Sequence, residues 1–192
     1  MLRFFSLLLV ILPIALIQWR SVDAPRIAIH HFPAGTLTKR EPPLSKDWTW
    51  DVPEGWSVEP PQSMRLATYK IPVAESYLEL AVSELPGPAG GLLSNVNRWR
   101  GQLGLSTISE DQLNRCVADL PVSGQGARIV TIPTPGETVD GEDAMVVALL
   151  ESPRMTTFFK LGGPASLVAS YREAFLGFIS SLHRRHPEGS IR

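Results

Sequence analysis

The sequence predicts an α+β domain, a mainly antiparallel sheet covered by helices, standing behind an N-terminal apolar helix. Three observations carry that expectation. Short runs of alternating hydrophobicity recur between glycine and proline turns from Asp47 onward. Two amphipathic helical stretches interrupt and close that series, and a half-buried sheet with helices between and after its strands settles into layers. Ahead of all this, residues 1–19, MLRFFSLLLVILPIALIQW, form an apolar run behind the single Arg3.

From Phe4 to Ile17 only Ser6 and Pro13 interrupt the apolar character, which suits a short signal anchor or the core of an export signal. The best exit for cleavage, Val22-Asp23-Ala24, is followed by Pro25, whereas Gln18, Trp19 and Arg20 resemble an interfacial collar. The expectation is an uncleaved anchor, with secretion after cleavage as the alternative. No cysteine follows the run to carry a lipid. Residues 20–46, with Pro25, Pro33, Pro42 and Pro43 among mixed charges, read as a flexible proline-rich tether of roughly 30 Å root-mean-square reach. The domain is expected over 47–183 and a polar tail over 184–192.

The domain opens with Trp48, Trp50 and Val52 alternating onto one face before a Pro53-Glu54-Gly55 turn. MRLATYKIP and SYLELAVSELP follow as strands, the second with Leu78, Leu80 and Val82 on one side and Glu79, Ala81 and Ser83 on the other. In LLSNVNRWRGQL, Leu92, Val96, Trp99 and Leu103 form a helical stripe about 60° wide at about 100° per residue. SEDQLNRC is a short helix, since Ser109 and Gln112 have capping-box spacing. VADLPV, ARIVTI, DAMVVALLE and MTTFFKL read as further strands joined by hairpins. The closing helix takes Pro164 into its first turn, with Leu167, Tyr171, Phe175, Phe178 and Leu182 as its seam.

Composition excludes several function classes. The net charge of −1, with no basic stripe, lacks the electrostatic footprint of nucleic-acid binding. Cys116 is the only cysteine, so no intrachain disulfide forms, and it reads as a small core hydrophobe. His30 and His31 fall in the tether, and His183 and His186 fall at the end of the closing helix, so no imidazole is placed against an interior nucleophile. His183 and His186 read as a solvated basic helix end, because Arg184 and Arg185 repel a cation and no third ligand is near in sequence. Glu137, Asp140, Glu142 and Asp143 miss the spacing of a calcium loop and read as solvated charges around an Asp140-Gly141 turn. No cofactor and no metal is expected.

The candidate binding residues lie on the central helix. With Asn95 at 0°, Arg98 falls at about 300° and Gln102 at about 340°, adjoining Trp99 at about 40°. Asn95, Arg98, Trp99 and Gln102 are therefore neighbours, and a guanidinium fork between two amides suits a carboxylate, a sugar or a peptide backbone. A second reading stays open, in which the same groups cap nearby loops and Arg98 is tied to an internal carboxylate.

The order of elements, the PEGW turn, the glycine-led helix and the FFKLGGP passage resemble the PsbP-like layout shared by photosystem extrinsic proteins and several bacterial surface or lipoprotein families. GGLLSNVNRWRGQLGL and MTTFFKLGGP are similar to segments of an uncharacterised family of exported bacterial proteins. The resemblance implies a fold and an envelope location, with no catalytic motif to transfer. The expectation is a non-enzymatic domain on the extracytoplasmic side of a bacterial inner membrane, attached by a single pass through residues 1–19, that binds a partner protein or small polar ligand. The alternatives are an assembly or quality-control accessory of a membrane complex and, more distantly, a carboxylate-dependent hydrolase.

Overall fold

The computed structural model describes residues 45–137 and 142–185. The expected anchor, most of the tether, His30, His31, Asp140, His186 and the end of the tail lie outside the described residues. The elements run β1 (Trp48–Thr49), β2 (Ser57–Val58), β3 (Ala67–Val73), β4 (Ser76–Pro86), α1 (Leu92–Gln102), α2 (Glu110–Leu113), β5 (Val117–Val122), β6 (Gln125–Ile132), β7 (Asp143–Glu151), β8 (Met155–Pro164), α3 (Ala165–Ser180) and β9 (His183–Arg184). Strands β2–β8 form one antiparallel sheet in the order β2-β3-β4-β8-β7-β6-β5. A chain that leaves the sheet after β4 therefore builds both short helices, then meanders back through β5, β6 and β7 until β8 closes against β4.

Alternation along the strands makes two cores, one on each side of the sheet. Ala144, Val146, Ala148 and Leu150 of β7 face α3, together with Leu78, Leu80 and Val82 of β4. Met145, Val147 and Leu149 face the opposite way, where Val96 and Trp99 of α1 and Leu113 of α2 cover them. β7 is buried on both faces and its sequence is a continuous apolar run for that reason. The second face is covered only in part: the α1 core takes its sheet residues from β6, β7 and Phe158 of β8, while the central side chains of β3 and β4 on that side are not among them.

Turn chemistry fixes the register. β5 and β6 pair Val122 with Gln125, leaving Ser123-Gly124 as a two-residue turn. Both residues have positive φ, 45° and 79°, which is the backbone whose twist matches a hairpin. Gly163, at the β8-to-α3 passage, answers a different demand. A Cβ there would lie 2.8 Å from Leu78 Cδ2, and its φ is 149°.

Three expectations need correction. Trp48, Trp50 and Val52 are all buried, yet only Trp48–Thr49 is a strand, pairing β9 in a separate two-stranded ladder. The Pro53-Glu54-Gly55 turn follows too closely for a longer one. The closing helix ends at Ser180, so His183 lies on β9 opposite Thr49 and not on a helical turn. Its buried seam is Val168, Phe175, Phe178 and Ile179, continued by Leu182, with Leu167 and Tyr171 at the margin. Glu137 does not stand in solvated isolation, because Arg100 grips it. The ladder also draws in residues at both ends of the expected domain. Ser45 is buried with its hydroxyl on Glu84, and the Arg185 amide donates to Asp47 O at 2.8 Å.

Candidate functional site

The site is built by the two polar flanks of α1, which serve different ends. One flank is engaged with the chain itself. Asn97 forms a two-way bond with Ile108, Nδ2 donating to its carbonyl at 3.0 Å and Oδ1 accepting from its amide at 2.8 Å. Arg100 donates through Nε to Ser106 O at 2.6 Å and through Nη1 and Nη2 to Glu137 at 2.9 and 2.6 Å. Its side chain is 3% exposed. The Glu137 carboxyl is lowered from about 4.5 to about 2, chiefly by the Arg100 hydrogen bonds, against burial and with help from the Thr134 amide. This bidentate pair pins the turn after β6 to the helix.

The other flank carries the sequence-predicted row. Asn95 is buried, and its Nδ2 donates to Ala89 O at 2.8 Å and Gly91 O at 2.7 Å. That double bond holds a run in which Ala89, Gly90 and Gly91 all have positive φ, so Asn95 fixes the unusual entry into α1. Its Oδ1 accepts from Arg98 Nη2. Trp99 is buried beneath the helix, edge-on to Phe158 with ring centroids 5.7 Å apart. Arg98 and Gln102 are exposed one turn apart. The partner of Arg98 is an amide oxygen, not the internal carboxylate that the buttress reading supposed; Arg100 is the arginine so tied.

Beside Arg98 and Gln102 the second face of the sheet carries polar side chains in place of the apolar α1 core, and Ala81 and Thr68 lie buried beneath them. Lys160 of β8 points to this side, since it alternates with Phe159 of the α3 core, and its Nζ donates to Gln102 Oε1 at 3.2 Å. Its cross-strand neighbour is Ala81, whose own partner is Thr68. Arg65, just ahead of β3, reaches Thr68 Oγ1 at 3.2 Å and Glu79 Oε1 at 2.9 Å. Lys70 lies 4.9 Å over the ring of the exposed Tyr77. The result is a polar shelf: α1 is its wall, the β3–β4 hairpin its floor, and Lys160 sits where they meet. Burial lowers the Lys160 ammonium pKa, Arg65 and Arg98 lower it further, and Glu79 opposes them.

Other chemistry-bearing groups stand apart from the shelf. Cys116 is buried, donates through Sγ to Leu113 O at 3.1 Å, and has its thiol pushed up mainly by burial. Among the described residues His183 is the one histidine, exposed on β9. A small depression of about 190 Å³ lies between Gly87, Pro88, Glu151 and Thr156, below the roughly 300–1,000 Å³ of typical ligand cavities. Among the described residues no helix is long and apolar enough to cross a membrane. Sequence reasoning named Arg98 and Gln102 but not Lys160 and Arg65, which strand pairing brings to the same face.

No family model matches this sequence, and none of the curated proteins matches it. Among solved structures, cyanobacterial PsbP (CyanoP) from Synechocystis sp. PCC 6803 superposes with a TM-score of 0.51 at 12% identity, over 77% of this chain and 92% of that one. A Bacteroides thetaiotaomicron VPI-5482 protein gives 0.43 at 11% identity over 73% of this chain, which spans 45% of its length. LpqN of Mycobacterium tuberculosis, described as involved in cell envelope biogenesis, gives 0.41 at 11% identity over 72% and 83%. The CyanoP match shows that the chain has the PsbP-like fold. At that identity it shows the fold alone.

Proposed function

We propose that this chain is a non-enzymatic, membrane-tethered envelope domain that binds a partner protein or small polar ligand on the shelf beside α1. The observation that carries the reading is the half-covered second face of the sheet. Helix α1 buries Val96 and Trp99 over β6, β7 and Phe158, and the polar half left beside it gathers Arg98, Gln102 and Lys160 at one step. Asn95 and Trp99, the other two residues of the row, hold that wall in place from below. A surface that presents a guanidinium, an ammonium and an amide side by side suits recognition of a polar group. The non-enzymatic part is supported by the exposure of His183 on β9, by the burial of Cys116, and by the engagement of Glu137 with Arg100. The envelope part is supported by the apolar run at 1–19.

The test is co-purification from detergent-solubilised membranes. Tagged full-length protein is compared with the double variant Arg98→Glu/Gln102→Glu and with Glu173→Arg on the exposed side of α3, all with matched melting temperatures. The reading expects proteins or small molecules recovered with the native chain to persist with Glu173→Arg and to disappear with the double variant. Recovery that is indifferent to both changes would move the binding surface elsewhere.

A further inference from the structure

We propose that the shelf receives an oxyanion, the carboxylate or phosphate of its ligand, between Lys160, Arg98 and Arg65, a reading that rests on the shelf being the binding surface. Arg98 lies one helical turn from Gln102, which Lys160 grips, and Arg65 is bonded at Thr68, two strands across from Lys160; the carboxylate beside Arg65 is engaged. Glu79 accepts from Arg65 Nη1 at 2.9 Å. Lys160 is half-buried, and its bond within the chain goes to a neutral amide oxygen, Gln102 Oε1. Arg98 likewise donates to a neutral oxygen, Asn95 Oδ1. Lys70, the remaining cation on the floor, is drawn off toward Glu59 at 3.7 Å and the Tyr77 ring.

An ammonium and a guanidinium whose partners are both amide oxygens retain their full electrostatic demand. Their mutual repulsion, strongest at the half-buried Lys160, is relieved by a bound anion. The carboxamides have a defined place in this arrangement. Asn95 Oδ1 orients the Arg98 fork, and Gln102 fixes the ammonium at the foot of the wall, so both donors are positioned before a ligand arrives. A neutral sugar or amide satisfies hydrogen bonds here but leaves the charge uncompensated. An oxyanion satisfies both, and the bidentate geometry of guanidinium with carboxylate or phosphate adds direction.

The test uses the full-length chain in detergent micelles with its lysines labelled at Cε and Nζ for magnetic resonance, titrated with inorganic phosphate, sodium acetate and, at equal ionic strength, sodium chloride. The Lys160 signal should shift saturably with phosphate or acetate, its titration midpoint should rise, and Lys46 and Lys70 should move no more than in chloride. Arg98→Gln should weaken the response at least tenfold at an unchanged melting temperature, and Lys160→Met should abolish oxyanion protection of the shelf in hydrogen exchange. A peptide with a free C-terminal carboxylate that outcompetes its amidated form identifies a partner's carboxylate as the source, whereas phosphate tighter than acetate identifies a phosphate ester. A Lys160 signal that responds to both oxyanions no more than to chloride overturns the inference, as does native-strength binding by both variants. If that failure accompanies co-purification still lost in Arg98→Glu/Gln102→Glu, the binding surface stands and the oxyanion alone is refuted.

Discussion

Replacing Glu137 with glutamine should cost about 3 kcal/mol, a figure reached from the burial of its pair with Arg100 and from the titration that the same pair produces. The Arg100 side chain is 3% exposed and Glu137 29% exposed, with both guanidinium nitrogens on the carboxylate. Removing one partner from a buried ion pair leaves an uncompensated charge, at a cost of about 3–5 kcal/mol, and the partial exposure of Glu137 favours the lower end. Titration gives the second route, since lowering a carboxyl from about 4.5 to about 2 corresponds to about 3 kcal/mol between its two states. The folded-state value is depressed, so this stability is fully present above about pH 4.5 and is lost as pH falls from there toward about 2. Urea denaturation from pH 7 down to 3 is the assay. The native chain should lose stability across that lower window, and Glu137→Gln should begin lower and lose less. The double variant Arg100→Met/Glu137→Gln should recover part of the loss, because methionine fills the space without a stranded charge. A Glu137→Gln cost under about 1 kcal/mol with an unchanged acid limb would refute the reasoning.

Further outcomes follow from the same packing. Phe175→Ala should destabilise by about 3–5 kcal/mol in urea, since Phe175 is fully buried in the α3 core; a cost below about 1 kcal/mol would remove it from the seam. Gly163→Ala should cost about 1–3 kcal/mol by thermal melting, because its Cβ would sit 2.8 Å from Leu78 Cδ2; a neutral result would show that β4 yields there. Asn95→Ala should cost about 1–3 kcal/mol through the carbonyls of Ala89 and Gly91, while Arg98→Ala should leave the melting curve nearly unchanged. Equal losses from the two would mean that Arg98, too, is a structural strut.

Much of the fold was legible because burial imposes a period on the residues that undergo it. Leu78, Leu80 and Val82 alternate since one face of β4 meets α3, and Val96 and Trp99 fall on one stripe since α1 meets the sheet. The longer reach of Arg100 and His183 was not legible. Arg100 finds a carboxylate far along the chain, and no local pattern announces such a partner. Its angle did carry a signal: it lies about 40° from Val96 around the helix, beside the apolar stripe rather than opposite it. His183 looked helical because the seam continues to Leu182, and its departure depends on pairing with a strand at the other end of the domain. For the site, helical geometry placed Arg98 beside Gln102 but could not supply Lys160 or Arg65, since strand order is what carries those two to the same step. The anchor and most of the tether fall outside the described residues and stand on the sequence.

The central claim, that the polar shelf beside α1 is the surface by which this domain recognises its ligand, is tested most directly by site-specific photo-crosslinking in the living cell. A photoreactive phenylalanine analogue placed at Gln102 should give a discrete adduct, whereas the same group at the exposed Glu173 of α3 should give none. Adducts from position 173 with none from 102, or the same adducts from both, would contradict the account.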